Sequence, residues 1–165
     1  MYYPYLRGRQ NELLCIRELL ENGKLSSKIV PVIEPVRFNA TFFSTLSQFI
    51  EAKREIILIH NPKVGSFNKE YKDMKKKIDA EKDEKKKSKL QTTLDSYLYI
   101  LKNEYIIPGY LNDQKIVDKV LSGEKDVSKI ALINCMQGNY KYYEEHGEAL
   151  SAKVTLIPKD EDFKD

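Results

Sequence analysis

Short apolar segments recur along this chain at nearly even intervals, and that spacing restricts the folds open to it. Ile29–Ile33, Ile56–Ile59, Tyr105–Ile107, Ile130–Ile133 and Val154–Ile157 each read as a strand, and the aromatic stretch Tyr2–Leu6 supplies another at the start. Strand starts near residues 2, 29, 55, 104, 128 and 153 are separated by 27, 26, 49, 24 and 25 residues. An interval near 25 holds one strand, one helix and two turns. Only the third is almost doubled. The pattern predicts a parallel βα repeat with one long helical insertion after the third strand. Strands such as Ile29–Ile33 are apolar without alternation, as expected where both faces of a sheet are covered. Right-handed crossovers between parallel strands give either an open sheet or a barrel. A full eight-stranded barrel takes about 200 residues or more, and this chain has 165. The expected fold is therefore α/β, an open sheet or a partial TIM-barrel-like one, in a single domain spanning 1–165.

Between the strands, helical periodicity is clear. Leu13, Leu14, Ile16, Leu19 and Leu20 recur at a spacing near 3.6 before Asn22-Gly23 ends the run, glycine being at ease in the left-handed conformation past a helix end. Phe42, Phe43, Leu46, Phe49 and Ile50 mark a second helix over Thr41–Lys53, with Asn39 or Thr41 as its N-cap. A helix from Asp113 to Leu121 and a weaker one from Tyr140 to Leu150 follow later. Pro4 removes one ladder donor from the first strand.

The insertion, residues 66–103, differs in character. Phe67, Tyr71, Met74 and Ile78 keep helical spacing, as do Leu90, Leu94, Tyr97 and Leu101, but Asp79–Lys89 between them is almost wholly charged. Two helices, or one long bent helix, projecting into solvent fit this pattern. Ten lysines and six acids between Lys69 and Lys89 contribute +4, more than the net +3 of the whole chain. The basic character thus belongs to one segment, and nucleic-acid binding, if present, belongs there as well. A solvated projection and a partner-binding hairpin are the other readings.

No apolar run approaches the roughly 20 residues of a membrane helix, and the start MYYPYLRG lacks a signal peptide's basic and apolar regions, which points to the cytoplasm. Cys15 and Cys135 are too isolated to form a metal-ligand pair; both are expected reduced and buried. No metal site is expected, and no cofactor can be named.

The opening YPYLRGRQNELLCIRELL and the following KIVPVIEPV resemble the start of a bacterial and phage group called beta family proteins. The resemblance covers about the first 65 residues and rests mainly on LRGRQNEL and the IEPV strand end. It implies a TIM-barrel-like fold, a bacterial or mobile-element source, and a chain that is a fragment or truncated relative of a longer barrel. It implies no activity.

In parallel α/β folds ligands bind beyond the carboxyl ends of the strands. Those ends carry Arg7, Arg9, Gln10 and Glu12; Glu34 and Arg37; His60, Asn61 and Lys63; Tyr110 and Asn112; Asn134 and Gln137. Arg7, Arg9, Arg37, Asn61, Lys63 and Asn134 are candidate ligands for an anion, since guanidinium and amide groups suit phosphate and carboxylate. Glu34 and His60 are the candidate proton carriers. Set against this is a structural role, with Arg7 and Glu34 tying adjacent strand ends together as an ion pair. The loop HNPKVGS, His60–Ser66, loosely resembles a phosphate cradle but lacks the glycine spacing of one. Three functions remain open on these residues: a binding or interaction module, with a protein partner or a second copy; an enzyme acting on a phosphorylated or carboxylated small molecule; and nucleic-acid binding through the lysine-rich insertion. Unpaired sheet edges favour the first.

Overall fold

The computed structural model describes residues 1–134, 144–146 and 149–157. Six strands form one all-parallel sheet: β1 (Tyr5–Leu6), β2 (Val32–Ile33), β3 (Ile56–Ile59), β4 (Ile106–Leu111), β5 (Ala131–Ile133) and β6 (Val154–Leu156). Their order in space is their order in sequence, each pairing with the one before, and the sheet curls into a half-barrel. Helices α1 (Gln10–Glu21), α2 (Ala40–Glu51) and α5 (Gln114–Leu121) follow β1, β2 and β4. The insertion after β3 forms two helices, α3 (Phe67–Ala80) and α4 (Glu84–Ile100). Expected helix from Tyr140 to Leu150 falls largely outside the described residues, within which Glu144–His146 are helical.

Alternation along the strands divides the apolar side chains between two faces. Val30, Val32, Ile57, Ile59, Ile107, Leu111, Ala131 and Ile133 cluster on the concave face. On the outer face, Ile33, Ile56, Leu58 and Ile106 pack under α1, α2, α3 and α4 with Leu13, Phe42, Leu46, Phe49 and Tyr97. Ile130 and Leu132 pack under α5 with Ile116, Val117 and Val120. All four side chains of β3 are buried, each contributing roughly 1.5–3 kcal/mol by leaving water. This double burial is why the strands read as continuous apolar runs.

Two strand boundaries differ from expectation for identifiable reasons. In place of a regular strand from Tyr2, an isolated bridge joins Tyr2 to Ile29 before β1 proper begins at Tyr5. Pro4 intervenes; it cannot donate, though its carbonyl still accepts from Val32 N–H at 2.9 Å. Conversely, β4 runs through Pro108 and Gly109 to Leu111. Pairing with β5 begins only at Gly109, so the ladder needs no N–H from Pro108. Gly109 is where the concave core is tightest: a Cβ there would lie 2.7 Å from Ile57 Cγ2 and 3.3 Å from Ile133 Cδ1.

Candidate functional site

The strand carboxyl ends bear two separate polar clusters, one on each face of the sheet. On the concave side, Glu34 continues the alternation of Val30 and Val32 and is 3% exposed. Tyr5 OH donates to its Oε2 at 2.6 Å, and Lys63 N–H donates to its Oε1 at 2.8 Å. The carboxylate thereby joins the end of β1 to the loop after β3. It does so without Arg7: the two form no ion pair, and Arg7 is exposed. The expected Arg7–Glu34 tie is therefore corrected to a Tyr5–Glu34–Lys63 tie, the phenol of the preceding inward position taking the place of the guanidinium.

Asn61 and Lys63 extend this side. Asn61 Nδ2 donates to Leu111 O at 2.8 Å while Asn61 Oδ1 accepts from Leu111 N–H at 2.8 Å. Its amide thus prolongs the β3–β4 ladder by one side-chain pair. Lys63 Nζ pairs with Asp113 Oδ2 at 3.0 Å, and Asp113 also caps α5 through Ile116 N–H. Arg37 lies apart, exposed, 3.9 Å from Glu70. Glu70 is engaged by Ser66 OH and Phe38 N–H; the Ser66 hydroxyl above all, helped by the Phe38 amide and Arg37, holds its carboxyl below the ordinary value against the opposing effect of burial. Arg9 occupies the N-cap of α1, its N–H donating to Glu12 Oε2 at 2.9 Å, with its side chain exposed.

His60 falls on the other face. It follows Ile56 and Leu58 toward the helices and sits 5.4 Å from the Tyr110 ring, tilted by 53°. Lys125 Nζ donates to Tyr110 OH at 2.8 Å. Burial first, and the Lys125 charge second, push the imidazole down to about 4, so it is neutral at pH 7. Its Nε2 is buried with no hydrogen-bond partner, as is Asn112 Oδ1. Asn112 Nδ2 donates to Asn134 Oδ1 at 2.8 Å, and both residues are 1% exposed. Glu34 and His60 therefore lie on opposite faces of the sheet and do not share a cleft. Gln137 and Cys135 lie outside the described residues.

The His60–Ser66 loop is built for packing. Gly65 has φ 71°, and a Cβ on it would lie 2.3 Å from Val36 Cγ1 and 2.4 Å from Val36 O. The Ser66 and Phe67 amides both donate to that Val36 carbonyl, at 2.9 and 3.0 Å. Together with the Lys63 amide on Glu34, three amides that a phosphate cradle would leave free are occupied. Among the described residues no group of three His, Cys, Asp or Glu side chains could hold a metal ion, and no helix is long and apolar enough to cross a membrane.

A different feature lies at the β1 edge. On the outer face, Pro4 and Leu6 of the β1 segment, Cys15, Ile16 and Leu19 of α1, and Leu25 and Ile29 beyond it line an open groove of about 430 Å³. Cys15, expected buried, is exposed in this groove. The reason is positional. α2 covers the far side of α1, whereas no helix among the described residues covers the near side. Tyr2 at its rim is 65% exposed and Leu19 37%. Four cations, Arg7 and Arg9 near one end of β1 and Lys24 and Lys28 near the other, are exposed and make no ion pair among the described residues. Helical periodicity showed the apolar stripe of α1 but not that part of it stays uncovered. Comparison with protein-family models, curated proteins and solved structures returns no match.

Proposed function

We propose that this chain is an interaction module that takes up a helix of another polypeptide along its β1 edge. The uncovered apolar groove between α1 and β1 carries the reading. In the half-barrel each helix lies over the sheet beside its neighbour, and this groove is the next such position, with apolar walls and no occupant among the described residues. Leu6, Ile16 and Leu19 suit the i, i+3, i+4, i+7 stripe of an amphipathic helix. The unpaired cations at the two ends select the partner's charge: acidic residues flanking the stripe. Kinship with beta family proteins, and with it a bacterial or phage source, is part of the proposal but not of this argument.

The strand-end residues support catalysis less well. Glu34, Asn61 and Lys63 bind one another's segments, and His60 faces the helices. A small-molecule enzyme would need to break several of these bonds to seat a substrate.

The test is titration of the full chain, followed by NMR, with a synthetic helical peptide bearing a leucine stripe and glutamates at both ends. Expected are shifts confined to Tyr2, Cys15, Leu19, Leu25 and Ile29, abolished by Leu19→Glu and weakened about tenfold by Lys24→Glu with Lys28→Glu. Shifts elsewhere, indifference to these substitutions, no binding at millimolar peptide, or self-association through the groove in sedimentation experiments would each overturn it.

A further inference from the structure

We infer that the α3–α4 hairpin is a docking arm for duplex nucleic acid, gripping the phosphate backbone without reading sequence. The base of the hairpin is anchored: Phe67, Tyr97 and Ile100 belong to the buried core under the helices. Beyond the base the segment is densely charged, with lysines outnumbering acids. Lys72, Lys76, Lys82, Lys85, Lys86 and Lys89 are all exposed. Opposite charges at helical spacing would be expected to neutralise them, but none of these lysines forms an ion pair. Of the six acids between Lys69 and Lys89, Asp73, Asp79 and Glu84 stay among the lysines, and the other three are turned to other partners. Glu70 accepts from Ser66 and Phe38, Glu81 from Asp83 N–H, and Asp83 from Lys85 and Lys86 N–H as the cap of α4. The ammonium groups remain available to an outside anion.

The composition of the arm narrows that anion. Residues 72–89 contain no Arg, Asn or Gln, the side chains that make bidentate contacts to base edges. They contain no aromatic residue either, so unstacked single-strand bases have no platform. Met74 and Ile78, the large apolar residues in that span, are not exposed, which leaves nothing to insert into a bilayer. Point charges along two helices match a regular array of phosphates. A duplex presents that array without demanding base contacts.

Binding of a fluorescent 20-base-pair duplex of arbitrary sequence, measured by anisotropy with the full chain, tests this. With about four phosphates neutralised, affinity should fall about 100-fold between about 50 and 200 mM salt. Changing Lys72, Lys76, Lys85 and Lys89 together to glutamine should remove binding and flatten the salt dependence. The same four changed to arginine should retain it, and a control with Lys53, Lys102 and Lys115 changed to glutamine should bind like the parent. No duplex binding at the lower salt refutes the inference, as does binding insensitive to salt. Equal loss in the control variant would show a nonspecific charge effect and refute it too. So would tighter binding to vesicles of anionic phospholipid than to duplex.

Discussion

Lowering the pH from 7 to 4 should destabilise this protein through His60 in particular. The folded chain holds that imidazole at about 4, against the ordinary 6.5, because partial burial strips water from the ring and the Lys125 charge opposes protonation. The unfolded chain therefore takes up the proton first. Stability contributed by the neutral ring is fully present above pH 6.5 and declines as the pH falls toward 4. At about 1.4 kcal/mol per pH unit, the loss accumulates to ~3 kcal/mol at pH 4, a large share of the ~5–15 kcal/mol of a typical domain. Urea melts at half-unit steps between pH 7 and 4 would give the profile for the parent and for His60→Gln. Other titrating groups act in both proteins, so the difference between the two curves isolates this residue. The parent should lose ~3 kcal/mol more than the variant over this range. Parallel curves would refute the reasoning, as would an NMR titration placing the His60 ring near 6.5.

Two further substitutions probe the loops that hold the strand ends. Gly65→Ala should cost about 2–4 kcal/mol in chemical denaturation, since the position combines positive φ with backbone overlap at Val36; a loss under about 0.5 kcal/mol would show that the loop yields easily. Tyr5→Phe removes the hydroxyl on Glu34 and should cost about 1.5–3 kcal/mol, as expected for a hydrogen bond to a charged group, with no change expected if the carboxylate is hydrated instead.

The repeat was legible because its signal is physical: strands buried on both faces must be apolar throughout, and each crossover needs a similar length of chain. The same property concealed which way the polar strand ends turn. In Val32–Ile33 and Ile56–Ile59 every residue is apolar, so nothing in the sequence distinguishes the concave face from the outer one, and Glu34 and His60 stand alike as polar strand ends. Their separation follows only from the packing of Val32 and Leu58 on opposite faces. The exposure of Cys15 has a related cause. Periodicity locates the apolar stripe of a helix, but whether a neighbour covers it depends on α1 lying at the end of the sheet. Pro108-Gly109 read as a strand end, because a proline's missing donor matters only where a partner strand is waiting, and that depends on register.

The strand order has a further consequence, for the route by which the chain folds. Because each strand pairs with its immediate predecessor, the sheet can grow in the direction of synthesis, every new strand adding to the most recent edge. Parallel pairing is slow when the partners are far apart along the chain. Here one closure stands out: Ile56 pairs with Ile106 across the whole insertion. The α3–α4 hairpin shortens that search, since it forms from local contacts and returns the chain to the sheet through Tyr97 and Ile100. The hairpin thus brings together the two strands whose pairing spans the most chain in the sheet.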